Sequence, residues 1–304
     1  MISVVIPLYN KEKQIAATLQ SVLQQAFQDF EIVVVNDGST DGSVAAAETV
    51  QDERIRIIHQ ENAGVSAARN RGIAEAKYEL IAFLDADDRW KPDYLQTQYE
   101  LMKKYPDCSV FACNYEFVHA DGTVHPSIIR KLPFEGQDGV LSNYFEVASC
   151  SNPPLWTSAV MVRKTAMQAI GGFPVGIKSG EDLLTWARLA SRNKIAYSTR
   201  TSSLYLYDER EYTQSPREHD SDDPVGKALQ LLQKDNQQPG LRSYISLWYT
   251  MMASTYFRLP RRKKLMKSAL NAIKFRNNVL KNTFFLLFAV FPLSFRRWIF
   301  LKLR

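Results

Sequence analysis

The sequence predicts an α/β fold, a Rossmann-like sheet flanked by helices, followed by a helical and strongly basic C-terminal extension. Three observations carry this reading. From Ile2 to Leu84, short β-branched runs alternate with segments of helical periodicity, the pattern of parallel strands joined by crossover helices. Each of these runs ends in a short loop, and right-handed crossovers bring such loops to one sheet edge, where α/β folds bind ligands. Charge then splits the chain: Leu241 to Arg304 holds 14 Lys/Arg and no Asp/Glu, against 24 basic and 32 acidic residues before it.

The predicted strands of the first half are Ile2 to Pro7, Phe30 to Asn36, Arg54 to His59 and Leu80 to Leu84. Between the first two, Lys13 to Gln25 places Ile15, Leu19, Val22 and Leu23 on one helical face. Ser39 to Val50 and Val65 to Ala76 form the next two helices, and Ser39 or Asp41 can cap the first of them. Three loops should therefore converge: Leu8-Tyr9-Asn10, Asn36-Asp37-Gly38-Ser39, and Asp85 to Asp88. Pro92 to Lys104 then reads as a helix, Ser109 to Phe117 as a strand, and Ala120-Asp121-Gly122-Thr123 as a hairpin turn. Ser158 to Val162 is a further strand, followed by a Gly171-Gly172-Phe173 turn and a helix from Glu181-Asp182 to Ala190. Tyr207 to Asp223 is polar and without periodicity, which predicts a loop or linker.

A length of 304 residues with 45 % apolar and 23 % charged side chains describes a folded chain with a sizeable core, and excludes a disordered one. Met1 runs straight into Ile2-Ser3-Val4-Val5-Ile6, a strand rather than a basic-then-apolar leader, so the catalytic part is expected in the cytoplasm. Cys108, Cys113 and Cys150 lack CxxC spacing, and the four His are scattered at 59, 119, 125 and 219, so neither a disulfide framework nor a zinc site is expected.

Asp85-Ala86-Asp87-Asp88 places three carboxylates in four residues at the end of an apolar strand. Like charges so crowded fit a hard divalent cation, Mn2+ or Mg2+, which takes oxygen ligands and binds together with substrate phosphates. The alternative for the cluster alone is a solvated acidic turn capping the next helix. Asp37, where a strand ends in a Gly-Ser turn, can accept hydrogen bonds from a nucleotide base or ribose, or can form an Asx turn. Arg69 offers several donors in a fixed fork, suited to a base or phosphate, or to a surface ion pair.

Taken in order, Ile6-Pro7-Leu8-Tyr9-Asn10, Val34-Val35-Asn36-Asp37-Gly38-Ser39-Thr40-Asp41, Asn62-Ala63-Gly64 with Ala68-Arg69-Asn70-Arg71-Gly72, Phe83-Leu84-Asp85-Ala86-Asp87-Asp88, and Gly180-Glu181-Asp182 resemble the successive motifs of the family 2 glycosyltransferases of bacterial surface-polysaccharide type. The likeness spans roughly Met1 to Ala190. It implies a GT-A fold with a mixed sheet, a nucleotide-sugar donor, usually a UDP-sugar, a divalent metal, and inversion at the anomeric carbon by a single displacement.

The resemblance implies that Pro7 and Tyr9 shape the base pocket, that Asp37, Arg69 and Ala86 contact the donor, and that Asp85 meets the ribose or a metal-bound water. It assigns Asp87 to the metal and Asp182 to the base that takes the acceptor proton. The start of a helix is expected to keep the Asp182 pKa low. Glu181 would hold the acceptor or a backbone amide, and Gly172 lies in a turn expected near it. Asp88 either supports the cluster or caps the helix at Pro92, and Trp90 either lines the site or packs beneath it.

These readings divide the chain into a catalytic domain over 1–207, with a nucleotide-binding half to about 105 and an acceptor half beyond, a linker and helix over 208–240, and a basic helical region over 241–304. Helices are expected over Leu241 to Arg258 and Arg261 to Lys281, with an apolar segment from Phe284. In the second, Leu265 or Met266, Ala269, Ile273 and Leu280 form a stripe beside Lys263, Lys264, Lys267, Lys274 and Arg276, the pattern of an interfacial helix on an anionic membrane, the alternative being a helical lid that packs its apolar stripe on the catalytic domain. Phe284 to Phe291 is too short to span, so a peripheral contact is expected, with a lipid-linked saccharide as acceptor. A nucleotidyltransferase would ordinarily need a Gly-rich loop near the first strand, where Lys11 and Lys13 stand without Gly. A nucleic-acid-binding tail is disfavoured by the uninterrupted Phe/Leu run, and a silent scaffold by the presence of Asp37, Asp87 and Asp182.

Overall fold

The computed structural model describes residues 1–207, 222–235, 238–275 and 278–302. Most of the predicted loop from Tyr207 to Asp223, and Arg276 of the predicted stripe, lie outside them. The chain forms two units: Met1–Ser142 with Ser151–Gly176 and Glu181–Asp208, and Asn143–Cys150 with Ile177–Gly180 and Glu209–Arg304.

The first unit is built on one mixed sheet. Its strands are β1 (Ile2–Leu8), β2 (Phe30–Asp37), β3 (Ile55–Gln60), β4 (Leu80–Phe83), β5 (Arg89–Trp90), β6 (Val110–His119), β7 (Val124–Pro126), β8 (Asp138–Val140), β9 (Val160–Arg163) and β10 (Ile195–Tyr207). The order along the sheet is β3-β2-β1-β4-β9-β6-β10-β5, with β7 on β6 and β8 on β10. β1 to β4 are parallel, whereas β9 runs antiparallel to both β4 and β6.

Side chains alternate across a strand, and the two faces of the first strands are filled accordingly. Ile2, Val4, Ile6 and Leu8 share a core with Ile15, Leu19 and Val22 of helix α1 (Ile15–Leu23). After the short helix α2 (Ser43–Glu48) and strand β3, Val33 and Val35 meet Ala68 of helix α3 (Val65–Glu75) in a separate cluster. Helix α3 approaches β1 so closely that a Cβ on Gly72 would lie 2.3 Å from Val5 Cγ1. Asp41 rather than Ser39 receives the first amide of α2, Ser43 N–H, at 2.9 Å.

Several elements depart from the sequence expectation. The predicted strand from Ser158 begins at Val160, because Thr157–Ala159 forms a 3-10 turn. Helix α4 (Tyr94–Lys104) is separated from the acidic cluster by β5, which pairs with β10, so Asp88 does not cap it. β10 was not anticipated at all: its centre, Ser198 to Ser203, is polar, yet Ser198, Ser202 and Ser203 are buried, and the Ser203 hydroxyl donates to the Ser158 carbonyl at 2.8 Å. Helices α5 (Tyr144–Cys150) and α6 (Lys164–Ala169) were likewise missed. Helix α7 (Glu181–Ala190) starts where expected.

In the second unit, α5 packs through Tyr144 and Phe145 on Tyr244, which assigns it to the C-terminal region rather than to the predicted 1–207 domain. Beyond helix α8 (Pro224–Asp235), helix α9 (Leu241–Phe257) is the core element, burying Tyr244, Ile245, Trp248, Met252 and Tyr256. Helix α10 (Arg262–Lys274) ends well before Lys281, and α11 (Val279–Phe288) begins after Asn278 in a left-handed conformation. Of the stripe expected to face lipid, Leu265 and Ala269 turn inward and are fully buried with Ala272, whose carbonyl accepts the Ser246 hydroxyl at 2.8 Å, Ile273 is half-buried, and Met266 and Leu280 are exposed. Arg296 of helix α12 (Leu293–Lys302) is buried and donates to the Tyr256 and Leu259 carbonyls at the end of α9, each at 3.2 Å. No helix among the described residues is long and apolar enough to cross a membrane.

Candidate active site

The loops after β1, β2 and β4 are tied together by side chains. Asn10, in a left-handed turn, donates its backbone N–H to Ser39 Oγ at 3.2 Å and accepts Thr40 N–H at 2.8 Å. Lys11 reaches from the same turn to Asp87, Nζ to Oδ2 2.6 Å. Pro7 is buried in β1, and Tyr9 stands exposed just past its end.

Asp37 is buried, and its carboxylate is occupied largely by its own chain. Oδ1 accepts Gln60 Nε2 at 2.7 Å and Ala63 N–H at 2.9 Å, while Oδ2 accepts Gly64 N–H at 2.9 Å. A carboxylate offers about four acceptor positions, so little capacity remains for a ligand. The side chain braces the turn that launches α3. On that helix Ser66, Ala68, Arg69, Gly72 and Ile73 form the buried face, which is how a guanidinium comes to lie in the interior.

Arg69 is the centre of the site. NH2 donates to Asp85 Oδ1 at 2.6 Å, NH1 stands 3.6 Å from Glu181 Oε1, and the guanidinium lies over the Phe173 ring at 5.1 Å. Its Nε and NH1 are buried without a hydrogen-bond partner. Burial opposes its charge, but Asp85, Glu181 and Asp182 outweigh that effect and raise its pKa. Beneath it Phe173 meets Phe83 edge-on at 5.2 Å and Trp186 at 5.6 Å.

The acidic pair at the start of α7 behaves differently from the expectation of a pKa kept low. Burial pushes Glu181 up to about 7, with Asp182 adding to the shift and Arg69 opposing it. Burial also raises Asp182, against the lowering effects of Arg69 and the Leu183 N–H. The helix start is outweighed because the pair is largely withdrawn from water.

The three acids after β4 point three ways. Asp85 meets Arg69, Asp87 meets Lys11, and Asp88 turns inward. Asp88 Oδ2 accepts the Ser158 hydroxyl at 2.6 Å and Oδ1 accepts Leu206 N–H at 3.2 Å. Burial, then the charges of Asp85 and Asp87, raise its pKa well above the usual carboxylate range. Ser158 also accepts Asp85 N–H at 3.1 Å, and its carbonyl receives Trp90 Nε1 at 2.6 Å. Trp90 is therefore buried packing, stacked on Tyr94 at 4.0 Å, and not a wall of the site. Ala86 is buried, its carbonyl taken by Thr18 Oγ1 at 2.9 Å.

Gly172 has φ +71°, and a Cβ there would come 2.4 Å from Asn70 Oδ1. Asn70 accepts Phe173 N–H and donates to the Phe173 carbonyl, both at 2.8 Å, so the turn is fixed beside Arg69. Ser158, Asn70 and Phe173 were missed because their importance lies in partners distant along the chain. The structure thus gathers Asp85, Glu181 and Asp182 around Arg69, sets Asp87 on Lys11, and makes Asp37, Asp88, Trp90 and Gly172 supports.

Hard oxygen donors at Asp85 and Asp87, with an ammonium already seated on Asp87, fit a divalent cation. Among the described residues no group of three or more His, Cys, Asp or Glu gathers to hold a metal. A cation here would take few protein ligands and complete its shell from water and phosphate, as Mg2+ commonly does.

The profile of the family described as glycosyl transferase family 2 matches residues 3–162. The chain is 32 % identical over 200 residues to the putative teichuronic acid biosynthesis glycosyltransferase TuaG of Bacillus subtilis, covering 65 % of this chain and 75 % of that protein. It is 32 % identical over 212 residues to the glycosyltransferase GlyA of Streptococcus pneumoniae, covering 68 % of this chain but 30 % of GlyA. With the first 349 residues of S. aureus TarS in complex with UDP-GlcNAc it shares a fold at TM-score 0.65 and 20 % identity, over 90 % of this chain and 81 % of that one. With the mannosyltransferase PcManGT of Pyrobaculum calidifontis, in complex with GDP-Man and Mn2+, the TM-score is 0.58 at 19 % identity, over 99 % and 84 % of the two chains.

Proposed function

Since the chain belongs to glycosyl transferase family 2, we propose that it moves a hexosyl or N-acetylhexosaminyl group from a UDP-sugar to a hydroxyl of a lipid-linked saccharide, with inversion, during cell-surface polysaccharide assembly. The observation that carries the reading is the grouping of Asp85, Glu181 and Asp182 about a buried Arg69 that retains hydrogen-bond donors. Such a cation can hold the negative donor without being solvated away, while an acid beside it handles the acceptor proton.

In this mechanism the acceptor oxygen attacks the anomeric carbon as the bond from that carbon to the diphosphate oxygen breaks, and UDP leaves with the electron pair. Asp182 takes the hydroxyl proton. Arg69, held by Asp85 and Glu181, lends its positive charge to the donor side of the site, and Tyr9, at the mouth of β1, contacts the base. Asp87, with Asp85 nearby, would hold Mn2+ or Mg2+, which supplies positive charge to the departing diphosphate.

The reading places the protein as a peripheral enzyme on the cytoplasmic face of the membrane. Support comes from the last two helices and the turn between them. Leu287, Phe291, Trp298 and Leu301 are exposed there, and the region from Leu241 carries no acidic residue.

The deciding experiment is a donor screen by UDP release with Mn2+ and with EDTA, on wild type and Asp182→Asn. Both proteins should bind UDP, and only wild type should turn over. Because burial raises the Asp182 pKa, the acid limb of kcat/KM should lie above the ordinary aspartate range. Full turnover by Asp182→Asn removes the base assignment, and turnover unaffected by EDTA removes the metal.

A further inference from the structure

Resting on the glycosyltransferase reading above, we propose that the aromatic ladder at the carboxyl ends of β6 and β10, with Trp156 at its foot, is the acceptor subsite, and that it holds a saccharide ring against the faces of Tyr205 and Phe117. These two residues select the acceptor and leave the donor to the other side of the site.

The topology puts the ladder in the right place. β9 runs antiparallel to both β4 and β6, and β10 runs parallel to β6, so β6 and β10 end at the same sheet edge as β1 and β4. Ligands of such sheets bind outside the carboxyl ends of the strands. Tyr9, Asp37 and Arg69 belong to β1, β2 and the helix after β3, whereas β6 and β10 lie on the other side of β4 in the strand order. The acidic loop after β4 therefore stands between them, as a centre that joins two substrates must.

The rungs follow from the register. Alternate residues of a strand share a face, and the pairing sets Phe117 beside Tyr205 and His125, and His119 beside Tyr207. The Phe117 ring stands 5.6 Å from Tyr205 and 5.0 Å from His125, and His119 stands 5.4 Å from Tyr207. Trp156 joins this row to the acids: its ring is 4.5 Å from Tyr205, and its Nε1 donates to Asp88 Oδ2 at 3.4 Å. Leu206 N–H, between the two tyrosines, donates to Asp88 Oδ1 at 3.2 Å. Tyr205 also lies in the field of the loop, since the charges of Asp88, Asp87 and Asp85 add to burial in raising its hydroxyl pKa.

The chemistry of the ladder selects its occupant. Trp156, Phe117, Tyr205, Tyr207 and His119 are half-buried and His125 is exposed, so these rings keep surface that the core does not cover. A pyranose has an apolar C–H face and a rim of hydroxyls, which match flat aromatic faces edged by phenol and imidazole groups. An alkyl chain fits less well, because it would set hydrocarbon against the phenols and against the His119 and His125 pair, whose Nε2 atoms lie 2.8 Å apart.

The test uses the full chain with UDP and Mg2+, observed by saturation-transfer NMR of the ligand. The probes are a mixture of the methyl glycosides of glucose, galactose, mannose and N-acetylglucosamine, and, separately, octyl glucoside below its micelle concentration. Wild type should transfer saturation to the ring C–H protons of at least one methyl glycoside. Tyr205→Leu, which keeps apolar bulk and removes the aromatic face, should lower that signal about fivefold, the effect of one aromatic contact. Tyr205→Phe should retain it. UDP binding by calorimetry shows whether each variant is folded, and Phe117→Leu carries the same comparison if Tyr205→Leu is not. A signal in the leucine variant within about twofold of wild type, below the usual worth of an aromatic contact, overturns the proposal. Silence of every methyl glycoside with wild type also overturns it, and saturation of the octyl chain alone would then mark a lipid tail as the occupant. Failure of wild type to bind UDP would instead overturn the glycosyltransferase reading on which the proposal stands.

Discussion

Ser158 donates its hydroxyl hydrogen to Asp88 Oδ2 at 2.6 Å while accepting the Asp85 backbone N–H at 3.1 Å, so a single side chain fixes both ends of the acidic loop. Ser158→Ala leaves a buried carboxyl oxygen and a buried amide short of partners, which should cost about 1–3 kcal/mol. Urea denaturation should show a lower midpoint with an unchanged slope. An unchanged midpoint would mean that Trp156 Nε1, 3.4 Å from the same oxygen, suffices.

Glu181 should make stability fall as pH rises. Its folded pKa of about 7 exceeds the ordinary 4.5, so between these values the folded state keeps a proton that the unfolded state has released. Stability from this group is fully present below 4.5 and declines through that window. It then levels off above about 7, with a total on the order of 3 kcal/mol. Glu181→Gln should flatten this part of a plot of unfolding free energy against pH. The same slope in the variant would refute the assignment.

Arg69→Met should be the most damaging substitution in the site. It leaves Asp85, Glu181 and Asp182 facing one another without their cation, and breaking a buried ion pair from one side costs about 3–5 kcal/mol. Arg69→Lys restores the charge but not the fork that meets Asp85 and Glu181 from two nitrogens, so it should recover only part of the loss. Thermal unfolding of the two variants side by side gives the comparison, and equal stability of Arg69→Lys and wild type would contradict it.

Gly172→Ala forces a Cβ against Asn70 Oδ1 at a left-handed position, for an expected loss of about 1–3 kcal/mol. Adding Asn70→Ala should cost less in this background than in wild type, because the clashing atom is gone. Strict additivity in the double-mutant cycle would show that the strain lies in the backbone alone.

Membrane contact through the last helices predicts that Phe291→Ser with Trp298→Ser reduces sedimentation of the full chain with anionic vesicles, and that raised salt does the same. Phe291 and Trp298 belong to a row in which Phe284 and Phe288, Phe288 and Phe291, Phe291 and Phe295, and Phe295 and Trp298 lie 4.3, 5.5, 4.9 and 5.9 Å apart. Binding equal to wild type would remove these helices from the contact.

Strands β1 to β4 and their helices were legible because the hydrophobic pattern and the local turn chemistry agree over Ile2 to Leu84. β10 was not, since the burial of Ser198, Ser202 and Ser203 depends on partners that a linear pattern does not carry. In the tail, amphipathic periodicity located helix α10 but gave no indication of what its apolar stripe faces. An inward stripe against α9 and an outward one against lipid have the same spacing.

By itself the sequence determined the parallel α/β beginning, the order of the motifs, the acidic loop after β4, and the separation of a basic helical end from an acidic body. Those features are local, written in side-chain period, turn residues and charge. Only the tertiary structure decided that Arg69 lies buried among Asp85, Glu181 and Asp182, that Asp88 faces Ser158, and that Lys11 sits on Asp87. The pKa of an acid such as Asp182 was likewise beyond its own helix start to set. Desolvation and the nearest opposite charge govern it, and both arise from residues far away in the chain.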